Sequence, residues 1–569
     1  MKPSGHRHLF NTDCNAFFYK YPAQSHWHLP DKKRMSAGHI RQCITVLAKS
    51  GVDTLLVNTN AQLAWYPSKA VQTNLDGYKR GDRTHFFGHL LGQVMTREQL
   101  EQYFTAMTVL FDRYLDLAED GVNWVEEAAK ACRRNRISPW LSIRMNDMHG
   151  ATILPEFSMM NCKLYGDPKM RLRGVTNNPK EPLARGWQGF DYAKKEVRDY
   201  MMALIRECVE DFDYEGIELD WTRTPLCCEP GASQKAANLI SGWHADIRTL
   251  TARKAKRTGK PFYVGIRYSG TLEQLRTIGL DVSEMARRDI IDFVCPTNTW
   301  QTSWDIPLDE LKRELGDGVA VYGVIEDAPN WLMACKKQGT PHPWFPGTSA
   351  QHYRLSSASA AVLRGNAASK LVLGADGIET FNFFCTDDAD PWWNDVDCHA
   401  DYPALKQLED LRFLRGQPKF YTFSSKAGVY QHRHFETVGE FPVVLEPDCR
   451  HQARLPMAAE PKASKLAFTI QVVIERHANQ PDIGISLNGA WPNFNGKSCQ
   501  ELLVPVGGLV RHIPEHQAFN YSFDLSEIRE GWNDIVLING SHRRASTEEI
   551  KANSIRVMSM EAAVKKARA

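Results

Sequence analysis

At 569 residues the chain exceeds what a single hydrophobic core usually supports, which predicts one large domain and one smaller one. A formal net charge of +2 without any dense Lys/Arg run excludes partners held by phosphate neutralisation, nucleic acids and anionic membranes among them. No stretch reaches the roughly 20 apolar residues of a membrane span, and the first eight residues lack the apolar centre of a signal peptide. The chain is therefore expected to be cytoplasmic, or periplasmic or secreted if a leader has already been removed. Its thirteen cysteines are scattered without Cys-x-x-Cys spacing, so reduced core thiols are expected rather than a zinc site or a disulfide framework, the adjacent Cys227 and Cys228 included.

In chain order, short β-rich runs alternate with stretches of helical periodicity. The runs are Leu9 to Phe18, Val52 to Asn60, Ser138 to Asn146, Gly216 to Trp221, Phe262 to Tyr268, Phe293 to Asn298, Val319 to Glu326 and Gly377 to Phe383. Between them, Thr96 to Ala118 and Tyr192 to Phe212 carry apolar residues at three- and four-residue spacing. Eight strands with crossover helices predict a (β/α)8 barrel over residues 1–420. An open doubly wound sheet would need a Gly-rich phosphate turn after the first strand, and Asn11-Thr12-Asp13-Cys14-Asn15 is not one. Past residue 420 the pattern becomes short alternating runs, Lys465 to Ile474, Ile483 to Leu487, Glu501 to Val506 and Asp534 to Asn539, which predict an all-β sandwich over 421–569. Glu561 to Ala569 is expected to be a charged, frayed tail.

Strand side chains alternate faces, so Glu218 and Asp220 point one way while Ile217, Leu219 and Trp221 point the other. Two acids on one face of an apolar strand are costly unless they are used. The other strand ends deliver polar groups to the same rim: Asp13, Asn58, Arg144, Asn146, Asp147 and His149, then Arg267, Asn298, Glu326, Glu379 and Asn382. Such a mouth suits a ligand dense in hydroxyls, since acids accept from them and amides and guanidinium groups donate to them. Tryptophans follow these strands, Trp65, Trp187, Trp221, Trp300, Trp304, Trp331, Trp344, Trp392 and Trp393 among them, and flat indoles cover the apolar faces of sugar rings.

Cleaving a glycosidic bond takes one carboxyl group to protonate the leaving oxygen and a second to act as nucleophile or base. Asp220 with Glu326 is the expected pair, and Glu218, two residues deeper, orients Asp220 or touches sugar. Asp13, Asn58, Arg144, Asn146, Asp147, His149, Trp221, Arg267, Asn298, Trp300, Glu379 and Asn382 are the expected substrate contacts. No metal or cofactor is called for. A catalytically inactive carbohydrate-binding protein, or a sugar transferase or isomerase, would use the same rim.

Phe10-Asn-Thr-Asp-Cys-Asn15, Ser142-Ile-Arg-Met-Asn-Asp-Met-His149, Gly216-Ile-Glu-Leu-Asp-Trp221 and Gly374-Ala-Asp-Gly-Ile-Glu-Thr-Phe-Asn382 resemble the glycosyl hydrolase family-ten-like proteins of bacterial polysaccharide degraders. The resemblance implies a barrel with an attached β-sandwich and glycoside hydrolysis. Ile485-Ser-Leu-Asn-Gly489 and Gly531-Trp-Asn-Asp-Ile535 are similar to galactose-binding-like jelly rolls. The fourth strand is also similar to the chitinase motif, but Thr222 stands where that family has its catalytic Glu, which argues against chitinase chemistry. In amylase and α-galactosidase-like barrels an Asp at this strand end is the nucleophile, and that likeness favours Asp220.

Overall fold

The computed structural model describes residues 2–567 except 14, 22–24, 31, 87–95, 148–160, 173–188, 223–225, 230, 232–233, 299–302, 327–331, 334–351, 354–359, 382, 384–401, 425–438, 463, 476–480, 500–502, 504–515 and 542–546. Eight barrel strands, β1 (His8–Thr12), β2 (Thr54–Asn58), β3 (Ser138–Arg144), β4 (Gly216–Asp220), β5 (Tyr263–Ser269), β6 (Phe293–Thr297), β7 (Ala320–Glu326) and β8 (Gly377–Phe381), close into a parallel barrel in sequence order. Each begins within a residue of the start of its sequence run or inside it. Helices lie between successive strands, as crossover connections require. The helix Trp124–Arg134 shows the local logic: Asn123 Oδ1 accepts from Val125 N at 3.0 Å, acids Glu126 and Glu127 sit in the first turn, and Arg133 and Arg134 close the last.

Alternation sorts the strand residues into two cores. Ile217, Leu219 and Trp221 face outward into the layer shared with the helices, where Trp221 meets Tyr192 edge to face and His244. The interior is filled by Leu9, Leu56, Trp140, Tyr263, Phe293, Cys295, Ala320, Tyr322, Val324 and Phe381. Two glycines make room for the large rings among these. A Cβ on Gly216 would lie 2.7 Å from the Trp140 indole, and one on Gly265 2.2 Å from the Phe293 ring. Aromatics other than Phe381, which lies level with Glu326, thus plug the amino-terminal half of the barrel, and the polar residues take the other half.

The C-terminal part consists of antiparallel sheets. The larger joins Lys419–Thr422, Val443–Leu445, Leu466–Glu475, Phe494–Cys499 and His516–Phe523 with Ile555–Lys566, and the smaller joins Arg450–Met457, Ile483–Leu487 and Gly531–Asn539. The expected run Glu501 to Val506 lies, apart from Leu503, outside the described residues. The expected tail is a correction. Ile555–Lys566 is an interior strand, paired with Leu466–Glu475 on one side and with Lys419–Thr422 and Val443–Leu445 on the other. Met-Glu-Ala-Ala-Val-Lys-Lys is poor in β-formers, but ladders on both sides and burial of Met560, Ala562 and Val564 override that preference.

Barrel and sheets meet through the segment after β6 and the helix Ala360–Val372. Trp304 Nε1 donates to Phe420 O at 3.2 Å, both oxygens of Asp305 accept from Ser424 N at 3.1 Å, and Ser369 Oγ donates to Pro456 O at 2.8 Å. Gly365 permits this approach, since a Cβ there would sit 1.8 Å from Phe420 O. Lys370 is fully buried at the same seam, donates to Ser303 O, and is pushed down to about 7 by that burial.

Candidate active site

The alternation that fills the barrel with aromatics below brings acids above them. In register across β3, β4 and β5, Ser142 lies beside Glu218 and Gly265, and Arg144 beside Asp220 and Arg267. Arg267 is fully buried at the centre of the mouth, with its guanidinium carbon 3.4 Å from the Phe381 ring centroid. Its Nη1 is 3.6 Å from Asp220 Oδ2, its Nη2 3.6 Å from Glu326 Oε2 and its Nε 3.5 Å from Glu379 Oε1. At these lengths the contacts are coulombic rather than made hydrogen bonds. Burial disfavours the Arg267 charge, but Asp220, Glu379, Glu326 and Glu218 outweigh it and hold the group above its ordinary value.

Asp220 is braced on its other oxygen. Oδ1 accepts from Thr222 N at 2.8 Å and Thr222 Oγ1 at 2.5 Å, so one oxygen of this carboxyl group faces two donors and the other a cation. Thr222 is a residue that strand alternation assigned no role, and a hydroxyl two residues past the acid was the signal for it. A second ion cluster borders the first: Arg144 Nη2 lies 2.5 Å from Asp13 Oδ2 and Nη1 2.9 Å from Asp147 Oδ2.

One layer down, Asn11 Nδ2 donates to Glu218 Oε1 at 2.7 Å and to Glu379 Oε1 at 3.0 Å, and Ser142 Oγ donates to Glu218 Oε1 at 2.9 Å. Burial pushes Glu218 well above the usual carboxylate range, Glu379 and Asp220 add to the rise, and Arg267 opposes it. Burial raises Glu379 too, with Arg267, Cys295 and Asn11 pulling back. Four carboxyl groups around one guanidinium thus divide into an upper pair on its terminal nitrogens and a lower pair held toward the neutral acid.

The expected contacts separate. Asp13, Arg144, Asp147, Arg267 and Glu379 join Asp220, Glu326 and Glu218 in these two clusters. Asn58 Nδ2 donates to Ser142 O at 3.0 Å and ties β2 to β3, and Asn298 Nδ2 donates to Ser303 Oγ at 2.6 Å. The Asn146 amide is taken up by backbone: it donates to Phe190 O and Leu226 O and accepts from Phe190 N. Trp221 lies on the opposite face of β4 from Asp220, in the outer core. His149, Trp300 and Asn382 lie outside the described residues, as do Trp187, Trp331, Trp344, Trp392 and Trp393.

The lower pair has a stability consequence. A carboxyl group whose folded pKa is raised contributes stability that is fully present below its unfolded value, about 4.3 for Glu, and that is lost as pH rises through the folded value. Glu218→Gln keeps the acceptor facing Asn11 and Ser142 and stays neutral. In EDTA-containing buffer it should match the parent in urea unfolding near pH 4 and exceed it at pH 8 by on the order of 1 kcal/mol or more, one pKa unit being about 1.4 kcal/mol. An equal difference at both pH values would show that the fold does not raise the Glu218 pKa.

No family model matches the chain, and no curated protein matches it. Among solved structures it is similar to a putative alpha-L-fucosidase from Bacteroides thetaiotaomicron, at 9% identity and TM-score 0.32, covering 100% of this chain and 98% of that one. Alpha-L-fucosidase isoenzyme 2 from Paenibacillus thiaminolyticus is 12% identical with TM-score 0.37, covering 76% and 54%. A GH36 alpha-galactosidase from Geobacillus stearothermophilus is 10% identical with TM-score 0.32, covering 98% and 55%. The chain spans little more than half the length of the last two. These neighbours are glycosidases, and the barrel rests on its own strand register.

Proposed function

We propose that the chain is a glycoside hydrolase, of the family-ten-like kind its motifs resemble, with Asp220 as nucleophile or base and Glu326 as proton donor. The observation that carries the reading is the placement of these two carboxyl groups 3.6 Å from the two terminal nitrogens of one buried arginine, at the carboxyl ends of β4 and β7. Carboxyl groups so placed fall within the span of up to about 9.5 Å over which paired acids act on a glycosidic bond. Thr222 supplies the donors and Arg267 the positive charge that favour an acceptor role for Asp220. Asp13, Arg144, Asp147 and Asn298 are the sugar contacts in this reading, and Asn146 and Trp221 are not. The C-terminal sheets, in a unit beginning near residue 420, carry no catalytic residue.

The same arginine favours a second reading, a carbohydrate-binding protein without turnover, because a cation wedged between two acids also neutralises them. Incubation with a panel of oligosaccharides, followed for released reducing ends and for shifts in melting temperature, separates the two. The hydrolase reading expects release from at least one member that also raises the melting temperature. A shift without release from any member favours the binder.

A further inference from the structure

Beneath the proposed catalytic pair, three potential ligands converge on one point. A carboxylate oxygen of Glu218, the Cys295 sulfur and a carboxylate oxygen of Glu379 lie within 4.8 Å of one another, and all three side chains are fully buried. Asn11 bridges the two acids through its amide nitrogen. Among the described residues its oxygen, also buried, has no donor, and neither do the second oxygens of Glu218 and Glu379. Three acceptor oxygens without donors in a closed interior leave the polar accounting of this layer incomplete. A cation is what completes it.

We propose that Glu218, Cys295 and Glu379, with Asn11 holding the two carboxylates, form a closed site for one divalent transition-metal ion, zinc by preference, at mid-depth in the barrel. The Asn11 amide nitrogen keeps its bonds to Glu218 Oε1 and Glu379 Oε1 and so orients the two carboxylates. Zn–S of about 2.3 Å and Zn–O of about 2.0–2.2 Å place tetrahedral ligand atoms about 3.4–3.7 Å apart, so a cluster within 4.8 Å contracts by about 1 Å on binding. Two carboxylates and a thiolate carry three negative charges, and the ion together with Arg267, whose Nε is 3.5 Å from Glu379, balances them. The thiolate selects zinc over magnesium or calcium, and a second carboxylate oxygen of Glu218 or Glu379 in the fourth position leaves none open, which marks a structural ion rather than a reacting one. Without the ion, burial drives Glu218, Glu379 and Cys295 toward their neutral forms, so binding releases protons. The ligands come from β4, β6 and β8, which no short spacing rule reports.

The site is independent of the glycosidase reading, and its test needs no substrate. The full chain, stripped with EDTA and passed through a desalting column, is loaded with ZnSO4 or CoCl2 and analysed for bound metal. One equivalent should be retained, the cobalt form should show thiolate-to-cobalt charge-transfer absorption, and zinc should raise the melting temperature. Cys295→Ser should abolish the charge-transfer band and weaken zinc by at least about 100-fold, beyond the 10–100-fold that loss of an outer partner costs. The control Cys449→Ser, at a partly exposed thiol, should leave binding unchanged. If Cys295→Ser does not fold, the nearly isosteric double variant Glu218→Gln/Glu379→Gln should show the same loss of zinc. No retained metal, or retention undiminished by these variants, overturns the proposal and leaves a proton-sharing acid pair in its place.

Discussion

Asp220→Asn is expected to lower turnover on any substrate of the chain by at least about a thousandfold while leaving binding and folding nearly unchanged. The carboxyl group is 1% exposed, its Oδ1 is fixed by Thr222 N and Oγ1, and its Oδ2 faces Arg267. An amide of the same shape keeps a carbonyl oxygen for Thr222 but removes the nucleophilic or basic lone pair, the kind of change that costs acid–base and covalent catalysis about 10²–10⁴. Steady-state kinetics alongside isothermal titration decide the matter. Turnover within threefold of the parent removes Asp220 from the mechanism.

Arg267→Gln is expected to have the largest effect on stability. Removing the central cation leaves Asp220, Glu326 and Glu379 without their shared counter-charge in a fully buried site, and breaking a buried pair of this kind costs about 3–5 kcal/mol. The sign of its pH dependence follows from the acids. Without the guanidinium that opposes the rise at Glu218 and Glu379, their folded values go further up, so the lost stability appears above the unfolded carboxyl range and shrinks as pH falls toward about 4. Urea unfolding at pH 4.5 and pH 7.5 should therefore show the deficit mainly at the higher pH. A deficit below about 1 kcal/mol at pH 7.5 would mean that the acids are already neutral and that Arg267 balances nothing.

Period-two alternation made the barrel legible, because β4, β5 and β7 each read the same way in sequence and in space: Ile217 and Leu219 out, Glu218 and Asp220 in. It also placed Arg267 and Glu326 at the mouth. It failed where side chains act against their immediate surroundings. Asn146 sits at the end of its run, but the backbone of Phe190 and Leu226, far along the chain, takes its amide. Trp221 was assigned to sugar by residue type although its own parity put it on the outer face. Ser142 and Cys295 were overlooked because small or apolar residues inside a strand read as filling, whereas here one donates to Glu218 and the other touches Glu379. Ile555–Lys566 was hidden for another reason: its pairing partners lie as far away as Lys419, which pairs with Val564, and local composition carries no record of them.

The claim that Asp220 and Glu326 divide the two roles is tested most directly by Glu326→Gln on one substrate with two leaving groups. An oligosaccharide needs a proton on its departing oxygen, whereas a 2,4-dinitrophenyl glycoside of the same sugar departs without one. Turnover of the oligosaccharide should fall by about 10²–10⁴, the usual contribution of a positioned acid, while that of the dinitrophenyl glycoside stays within about tenfold of the parent. Equal losses on both substrates, or none on either, would contradict the assignment of Glu326 as the acid and with it the two-carboxylate account of this barrel.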